Sequence, residues 1–165
     1  MHKTPQVNEV NEFIEIASDF EDPLEVIREA LSNSYDAGAR QVDIKIEQDA
    51  EGRNTLIIKD DGHGMDEDDL SSFFDLGNSN KDDAIGYKGH GTKIYYKSDK
   101  IRVETVTDGT RIESVMDQPW AKLNDRELPT YSIEETESDE PSRTRIEVHG
   151  FRAGQGFDPR KLTYN

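Results

Sequence analysis

Cysteine is absent from this chain of 165 residues. Its absence excludes disulfide bonds, thiolate metal sites and cysteine nucleophiles. Long apolar runs are also missing: no segment approaches the roughly 18 consecutive apolar residues of a membrane-spanning helix, and no basic and apolar secretion signal begins the chain. These absences predict a cytoplasmic protein that makes no membrane contact.

Basic residues are outnumbered, because 20 Lys and Arg stand against 36 Asp and Glu and give a formal net charge of −16. An acidic surface repels nucleic acid, so we expect no direct nucleic-acid binding by this segment. A negatively charged ligand would have to be held by local groups, such as backbone N–H groups, a helix N terminus or a divalent cation.

Hydrophobic periodicity divides the chain into helices and strands. It predicts helices over about 8–18, 23–37 and 66–75, a helical turn at 92–98, and strands at 41–48, 55–60, 101–107, 110–117 and 143–150. Asp108-Gly109 predicts a two-residue hairpin turn, and the acidic run 134–140 is expected to be a solvated loop. The order of elements indicates an α/β fold, a two-layer sandwich of a mixed, mostly antiparallel sheet with helices on one face.

One main domain is expected at 22–157, preceded by an N-terminal helical extension at 1–21. Residues 76–92 are rich in Gly, Asn, Ser and Asp, and a loop of this length is typical of a lid or a binding loop. Asp158-Pro159 is typical of a helix start, so 158–165 is expected to begin a truncated following segment.

The predicted helix 23–37 has two chemically distinct faces. At about 100° per residue, Glu29, Asn33 and Asp36 form a polar stripe. The opposite face carries apolar side chains, namely Leu24, Ile27, Leu31 and Tyr35. The polar stripe is either an ordinary solvated face or a functional one, and this pattern alone leaves both interpretations open.

Two glycine-containing segments follow. Asp60 stands at the end of a buried strand and is followed by Gly62 and Gly64, which would let the backbone approach a flat ligand, although an ordinary Asp-Gly turn has the same pattern. The second segment, "GYKGHGTK" at 86–93, places three glycines before a predicted helix, which is typical of an anion cradle of N–H groups or of a flexible linker.

Taken together and in this order, these segments resemble the GHKL or Bergerat-fold ATPases, which include gyrase, the ninety-kilodalton heat-shock chaperone, histidine kinases and MutL. "REALSNSYDAGA" is similar to the family's E-x-x-x-N-x-x-D-A box, "DDGHGM" to D-x-G-x-G, and "GYKGHGTK" to G-x-x-G-x-G. "SRTRIEVHG" is similar to the final strand, which bears a threonine. The resemblance covers residues 22–150, with features of the MutL, chaperone and MORC-type members.

The resemblance implies a site for ATP or ADP with Mg²⁺. Glu29 would be the general base, Asn33 the ligand of Mg²⁺, and Asp60 the acceptor of the adenine amino hydrogen. Thr144 would sit beside Asp60, Gly62 and Gly64 would let the base pack closely, and Gly86, Gly89 and Gly91 with Lys88 or Lys93 would wrap the triphosphate. The remaining residues would line the nucleotide site: Asp36, Ala37, Met65, Lys81, His90 and Thr92.

The expected function is Mg²⁺-dependent ATP hydrolysis that acts as a conformational switch in a larger protein, including ATP-driven homodimerisation through segments outside this chain. Hydrolysis by the isolated segment is expected to be slow, because many members add a lysine or arginine from a following domain. The alternatives are a histidine-kinase-type phosphotransferase, a nucleotide-binding module without hydrolysis, and an acidic domain without nucleotide. The four histidines match no metal-ligand spacing.

Overall fold

A six-stranded sheet forms one layer of the fold. The structure, a computed structural model, describes residues 1–18, 24–75 and 91–152. In chain order the elements are α1 (Glu9–Ser18), α2 (Leu24–Asp36), β1 (Val42–Gln48), β2 (Asn54–Asp60), α3 (Glu67–Phe74), a 3₁₀ helix (Gly91–Tyr96), β3 (Lys100–Thr107), β4 (Thr110–Asp117), α4 (Pro119–Asn124), β5 (Glu134–Glu137) and β6 (Arg143–His149).

The strands lie in the order β1-β2-β6-β3-β4-β5, and each of these pairings is antiparallel. Alternate residues of the central strands face the helices, so that Ile58 pairs with Ile146 and both are buried. The helices pack on this side and close a single apolar core. The predicted two-layer α/β sandwich is thereby confirmed, although the described strands form only antiparallel pairs where a mixed sheet was expected.

The opposite face of the sheet carries charged side chains. Arg102 donates to Glu113 and Glu147 at 2.8 Å, and Arg111 lies 2.9 Å from Glu104. A shallow cavity of about 400 Å³ opens here, lined by Lys59, Asp60, Arg102, Glu104, Arg143, Thr144 and Arg145. Paired charges let this face remain in contact with water.

The β3–β4 hairpin turns at Asp108-Gly109, as predicted. Both residues have positive φ, +47° and +80°, which suits the right-handed twist of a two-residue hairpin. Helix α3 also follows its pattern: Leu70, Phe73 and Phe74 are buried. The Asp66 side chain accepts from the backbone N–H of its third helical residue and closes a capping box.

Helix α2 is turned the other way from an ordinary amphipathic helix. Its apolar stripe faces solvent, with Leu31 48% and Tyr35 69% exposed. Its buried side carries Glu29 and Ser34, together with Val26 and Ala30. The interpretation of the polar stripe as an ordinary solvated face therefore fails for Glu29.

One expectation about the C-terminal half was wrong, and one helix there was not predicted. Glu134–Glu137 forms the edge strand β5 instead of a loop, although all four residues are exposed. Helix α4 was not anticipated; it begins at Pro119 after Gln118, whose φ is +52°. The helical turn predicted from Thr92 is a 3₁₀ helix that begins one residue earlier, at Gly91. The rest of that loop and the segment expected at 158–165 lie outside the described residues.

Candidate functional site

Glu29 and Asn33 stand one turn apart on α2 and touch each other. The Asn33 side-chain Nδ2 donates a hydrogen bond of 2.9 Å to Glu29 Oε1. Glu29 is only 9% exposed, an unusual degree of burial for a carboxylate. The sequence pattern predicted this pair, and the structure places it on the side of α2 that faces the core.

Asp60 ends β2 beside the same helix. Its Oδ2 accepts a hydrogen bond of 2.9 Å from the Ser34 hydroxyl, and its Oδ1 accepts one of 3.0 Å from the Gly62 backbone N–H. Burial raises the pKa of Asp60 above its usual value, against the opposing effect of these two hydrogen bonds. Because Ser34 directly follows Asn33, this contact brings Asp60 to the helix that carries Glu29.

Gly62 and Gly64 allow the loop after β2 to pack closely between two elements. A Cβ on Gly62 would lie 2.8 Å from both Cβ and the carbonyl oxygen of Ala37. Gly64 has a φ of +75°, and its Cβ would lie 2.1 Å from the Val106 carbonyl oxygen. The His63 N–H also donates to the Ala37 carbonyl at 2.9 Å. The protein itself therefore occupies the space beside these glycines.

Thr144 is the register partner of Asp60 on the neighbouring strand β6. Its hydroxyl is 2.9 Å from that of Thr105, which accepts from the Met65 N–H at 2.8 Å. Thr105 also donates to the Arg143 carbonyl at 3.1 Å. Met65 and Thr144 are thus joined through Thr105 into one hydrogen-bonded group, which lies next to Asp60 in the sheet register.

Two residues that bond predicted site residues, Ser34 and Thr105, were not predicted from the sequence. Ser34 lies inside the first motif, where a small hydroxyl residue next to Asn33 on the helix was its only signal. Thr105 had none, since its contact with Thr144 depends on strand register.

Thr92 and Lys93 hydrogen-bond to the C-terminal end of α3. The fully buried Lys93 Nζ donates to the Phe73 carbonyl at 3.0 Å and to the Thr92 hydroxyl at 3.1 Å. Thr92 donates to the same Phe73 carbonyl at 2.7 Å. Such bonds satisfy carbonyl groups that a helix end leaves open.

The other predicted residues divide into two sets. Asp36 is half-buried in the last turn of α2, and Gly91 begins the 3₁₀ helix. Five predicted nucleotide-site residues lie outside the described residues: Lys81, Gly86, Lys88, Gly89 and His90.

Residues 22–150 match the model of a family described as histidine kinase-, DNA gyrase B- and HSP90-like ATPases. The chain belongs to this ATPase family. This assignment confirms the resemblance to the GHKL superfamily. No helix within 1–18, 24–75 and 91–152 is long and apolar enough to cross a membrane.

Similar curated proteins include MutL, a DNA mismatch repair protein. The MutL of Halobacterium salinarum is 42% identical over 73 residues, which cover 44% of this chain and 11% of the relative. The MutL of Thermus thermophilus is 26% identical over 145 residues, or 82% of this chain and 24% of the relative. This GHKL ATPase-family chain thus spans less than a quarter of either relative.

Solved structures share the fold. The ATPase region of Saccharomyces cerevisiae topoisomerase II matches 89% of this chain and 50% of its own, at 14% identity and a TM-score of 0.63. The N-terminal domain of a DNA repair protein matches 84% and 38% respectively, at 22% identity and a TM-score of 0.55. At these identities the likeness is one of fold.

Proposed function

We propose that this chain binds ATP with Mg²⁺ and hydrolyses it. One observation carries the proposal: the buried side of α2 holds Glu29 in contact with Asn33, and the next residue, Ser34, is bonded to Asp60. A carboxylate, a carboxamide and a second carboxylate are therefore attached to one helix and one strand end. These are the groups that the family motifs require.

Asp60 would recognise the adenine amino group. Each carboxylate oxygen can accept two hydrogen bonds, and Ser34 and Gly62 supply one bond to each oxygen. The carboxylate is only partly buried, so acceptor capacity is left toward solvent. Thr144 lies beside it in register and adds a hydroxyl to the same pocket. The residues fit the base of a nucleotide.

Glu29 would act as the general base. It would orient the attacking water and take its proton, a contribution that is typically ~10²–10⁴-fold in rate. Before nucleotide binds, Asn33 Nδ2 donates to Glu29 Oε1. Its burial limits competing hydration and strengthens its electrostatic effect on bound groups.

Mg²⁺ would be held by the Asn33 amide oxygen, by water and by the phosphates. Within the described ranges, no cluster of three or more His, Asp or Glu side chains could hold a metal ion. Mg²⁺ commonly uses only one or two protein ligands, so the residues fit it. When bound, Mg²⁺ neutralises charge on the phosphates and aligns them for attack.

The phosphates would be held by the glycines at 86, 89 and 91 with Lys88, a proposal that depends on the motif. Lys93 is the weaker candidate, because its ammonium already bonds Phe73 and Thr92 in the protein interior. The resemblance favours hydrolysis over phosphotransfer, since kinases of this superfamily usually lack the glutamate found here at Glu29.

The domain would act within a longer protein as an ATP-dependent conformational switch. The much greater length of its MutL relatives supports this part of the proposal. An ATP-driven homodimer would be one output of the switch. In size-exclusion chromatography, a non-hydrolysable ATP analogue should then produce a larger species, whereas ADP should leave the elution volume of the protein unchanged.

The proposal is tested by thermal shift and phosphate release on three variants. Mg·ATP should raise the melting temperature of the wild type, and Asp60→Asn should abolish that rise. Glu29→Ala should keep the rise and lose phosphate release. Asp61→Asn is the matched control, because Asp61 instead accepts from the Arg40 and Gln41 N–H groups and should bind normally. A rise that survives Asp60→Asn would refute the adenine assignment, and turnover by Glu29→Ala would refute the base.

A further inference from the structure

Tyr95 and Tyr96 are adjacent buried tyrosines whose hydroxyls differ in hydrogen bonding. The Tyr96 hydroxyl donates to the Phe74 carbonyl at 2.8 Å. The Tyr95 hydroxyl is buried and has no hydrogen-bond partner within 1–18, 24–75 and 91–152. The ring of Tyr95 is 0% exposed and stacks on Phe73, with centroids 6.1 Å apart.

A buried hydroxyl that lacks a hydrogen-bond partner destabilises the folded state. Burial removes the hydroxyl from water without an acceptor among the described residues in exchange, whereas phenylalanine would fill the same space and avoid this loss. Packing alone therefore explains the ring of Tyr95 and leaves its hydroxyl unexplained. A hydroxyl of this kind is explained if an acceptor reaches it in another state of the protein.

Glu29 is the acceptor that lies nearby. Helix α2 packs against the 3₁₀ helix that contains Tyr95, and Glu29 is on the buried side of α2. Burial raises the pKa of Tyr95 far above its usual value, and the charge of Glu29 raises it further. In this structure Glu29 Oε1 is directed to Asn33.

We propose that the Tyr95 hydroxyl donates a hydrogen bond to the Glu29 carboxylate once Asn33 is drawn away to Mg²⁺, and so positions that carboxylate for the attacking water. The inference rests on the proposed function for the Mg²⁺ that draws Asn33 away and for the meaning of the contact, whereas the ability of Tyr95 to reach Glu29 is tested without it. Tyr95 stays protonated throughout and acts through Glu29, which makes it a positioning residue. Catalytic hydrogen bonds often form only in the loaded state.

Kinetics on a matched pair of variants test this role. Tyr95→Phe should lower kcat about tenfold or more, as expected for loss of a hydrogen bond to a charged group. KM for ATP should stay within about twofold, because in this proposal Tyr95 acts through Glu29 and does not bind the nucleotide. Tyr96→Phe, which loses its bond to Phe74, should lower the melting temperature and leave kcat unchanged. Equal kcat in Tyr95→Phe and wild type, or equal losses in both variants, would overturn the proposal.

A spectroscopic measurement without nucleotide tests the contact itself. Tyrosine labelled with ¹³C at Cζ would be followed in the whole chain, with Tyr95→Phe assigning the signal. Asn33→Ala removes the hydrogen bond that Asn33 donates to Glu29 Oε1, so the Tyr95 signal should move if its hydroxyl then pairs with that carboxylate. The double variant Asn33→Ala/Glu29→Gln should reverse much of that change, and the Tyr96 signal should stay constant.

An unmoved Tyr95 signal in Asn33→Ala would overturn the pairing. Absence of ATP hydrolysis in the wild type would refute only the proposed function, since this measurement still decides the contact.

Discussion

Helices α2 and α3 pack on the same face of the sheet and bury opposite kinds of side chain. Helix α3 buries Leu70 and two phenylalanines and turns its acidic residues to solvent. Helix α2 buries Glu29 and Ser34 and exposes Leu31 and Tyr35. Both are amphipathic, so the pattern identifies their faces equally well.

The difference shows what decides which face is buried. In α3 the removal of apolar area from water decides it, and the capping box adds to the stability of the helix. In α2 the two polar inward residues make specific bonds: Glu29 accepts from Asn33, and Ser34 donates to Asp60. Local rules are broken most often where a site needs particular groups.

Truncating one leucine on each helix tests this comparison with the largest expected effect. Leu70 is fully buried, so Leu70→Ala should lower the free energy of unfolding by about 2–5 kcal/mol through lost burial and a residual cavity. Leu31→Ala should change it by only about 0.5 kcal/mol or less, because Leu31 is already half-exposed. Urea unfolding measures both, and comparable losses would mean that α2 buries its apolar stripe after all.

Removal of the Ser34 hydroxyl tests the polar side of α2. Ser34→Ala should lower the free energy of unfolding by about 1–2 kcal/mol, because Asp60 loses a buried donor. It should also reduce the melting shift caused by Mg·ATP. The same substitution in an Asp60→Asn background should cost less, as expected for residues in direct contact. Additive losses would show that the two side chains are not coupled.

The capping box of α3 gives a somewhat smaller expected effect. The Asp66 side chain accepts from the Asp69 N–H at 2.8 Å. Asp66→Ala should lower the free energy of unfolding by about 1 kcal/mol, whereas Asp66→Asn retains an acceptor and should lose only a fraction of it. Equal losses in the two variants would assign the effect to charge at the helix N terminus instead of the cap.

Strands with strict alternation were predictable because their pattern reports burial directly. Val42, Ile44 and Ile46 all point inward on β1, as expected. Strand β5 gave no such signal: it consists of exposed acidic and threonine residues and is held by backbone pairing with β4. Helix α4 is only six residues long, too short to show a period.

In the candidate site, the motifs identified Glu29, Asn33 and Asp60, since their spacing is fixed by one helix and one strand end. Ser34 and Thr105 could not be found in this way. Their roles depend on contacts between elements distant in sequence, 26 residues apart for Ser34 and Asp60 and 39 for Thr105 and Thr144.

The dependence of stability on pH separates the two faces of the sheet, with the smallest expected effect because both carboxylates remain partly exposed. Burial raises the pKa of Asp60 above 3.8, so its ionisation opposes folding and stability falls as the pH rises from 3.8 through that raised value. On the other face, the hydrogen bond from Arg102 lowers the pKa of Glu113 below 4.5, so that contribution is lost as the pH falls from 4.5 through the lowered value. The difference in unfolding free energy between wild type and Asp60→Asn should therefore decrease with rising pH, and that between wild type and Glu113→Gln should increase. Urea titrations between about pH 3 and 6 measure both slopes. Slopes of the same sign would contradict the assignment of Asp60 to a partly buried polar site and of Glu113 to a solvated ion-pair network.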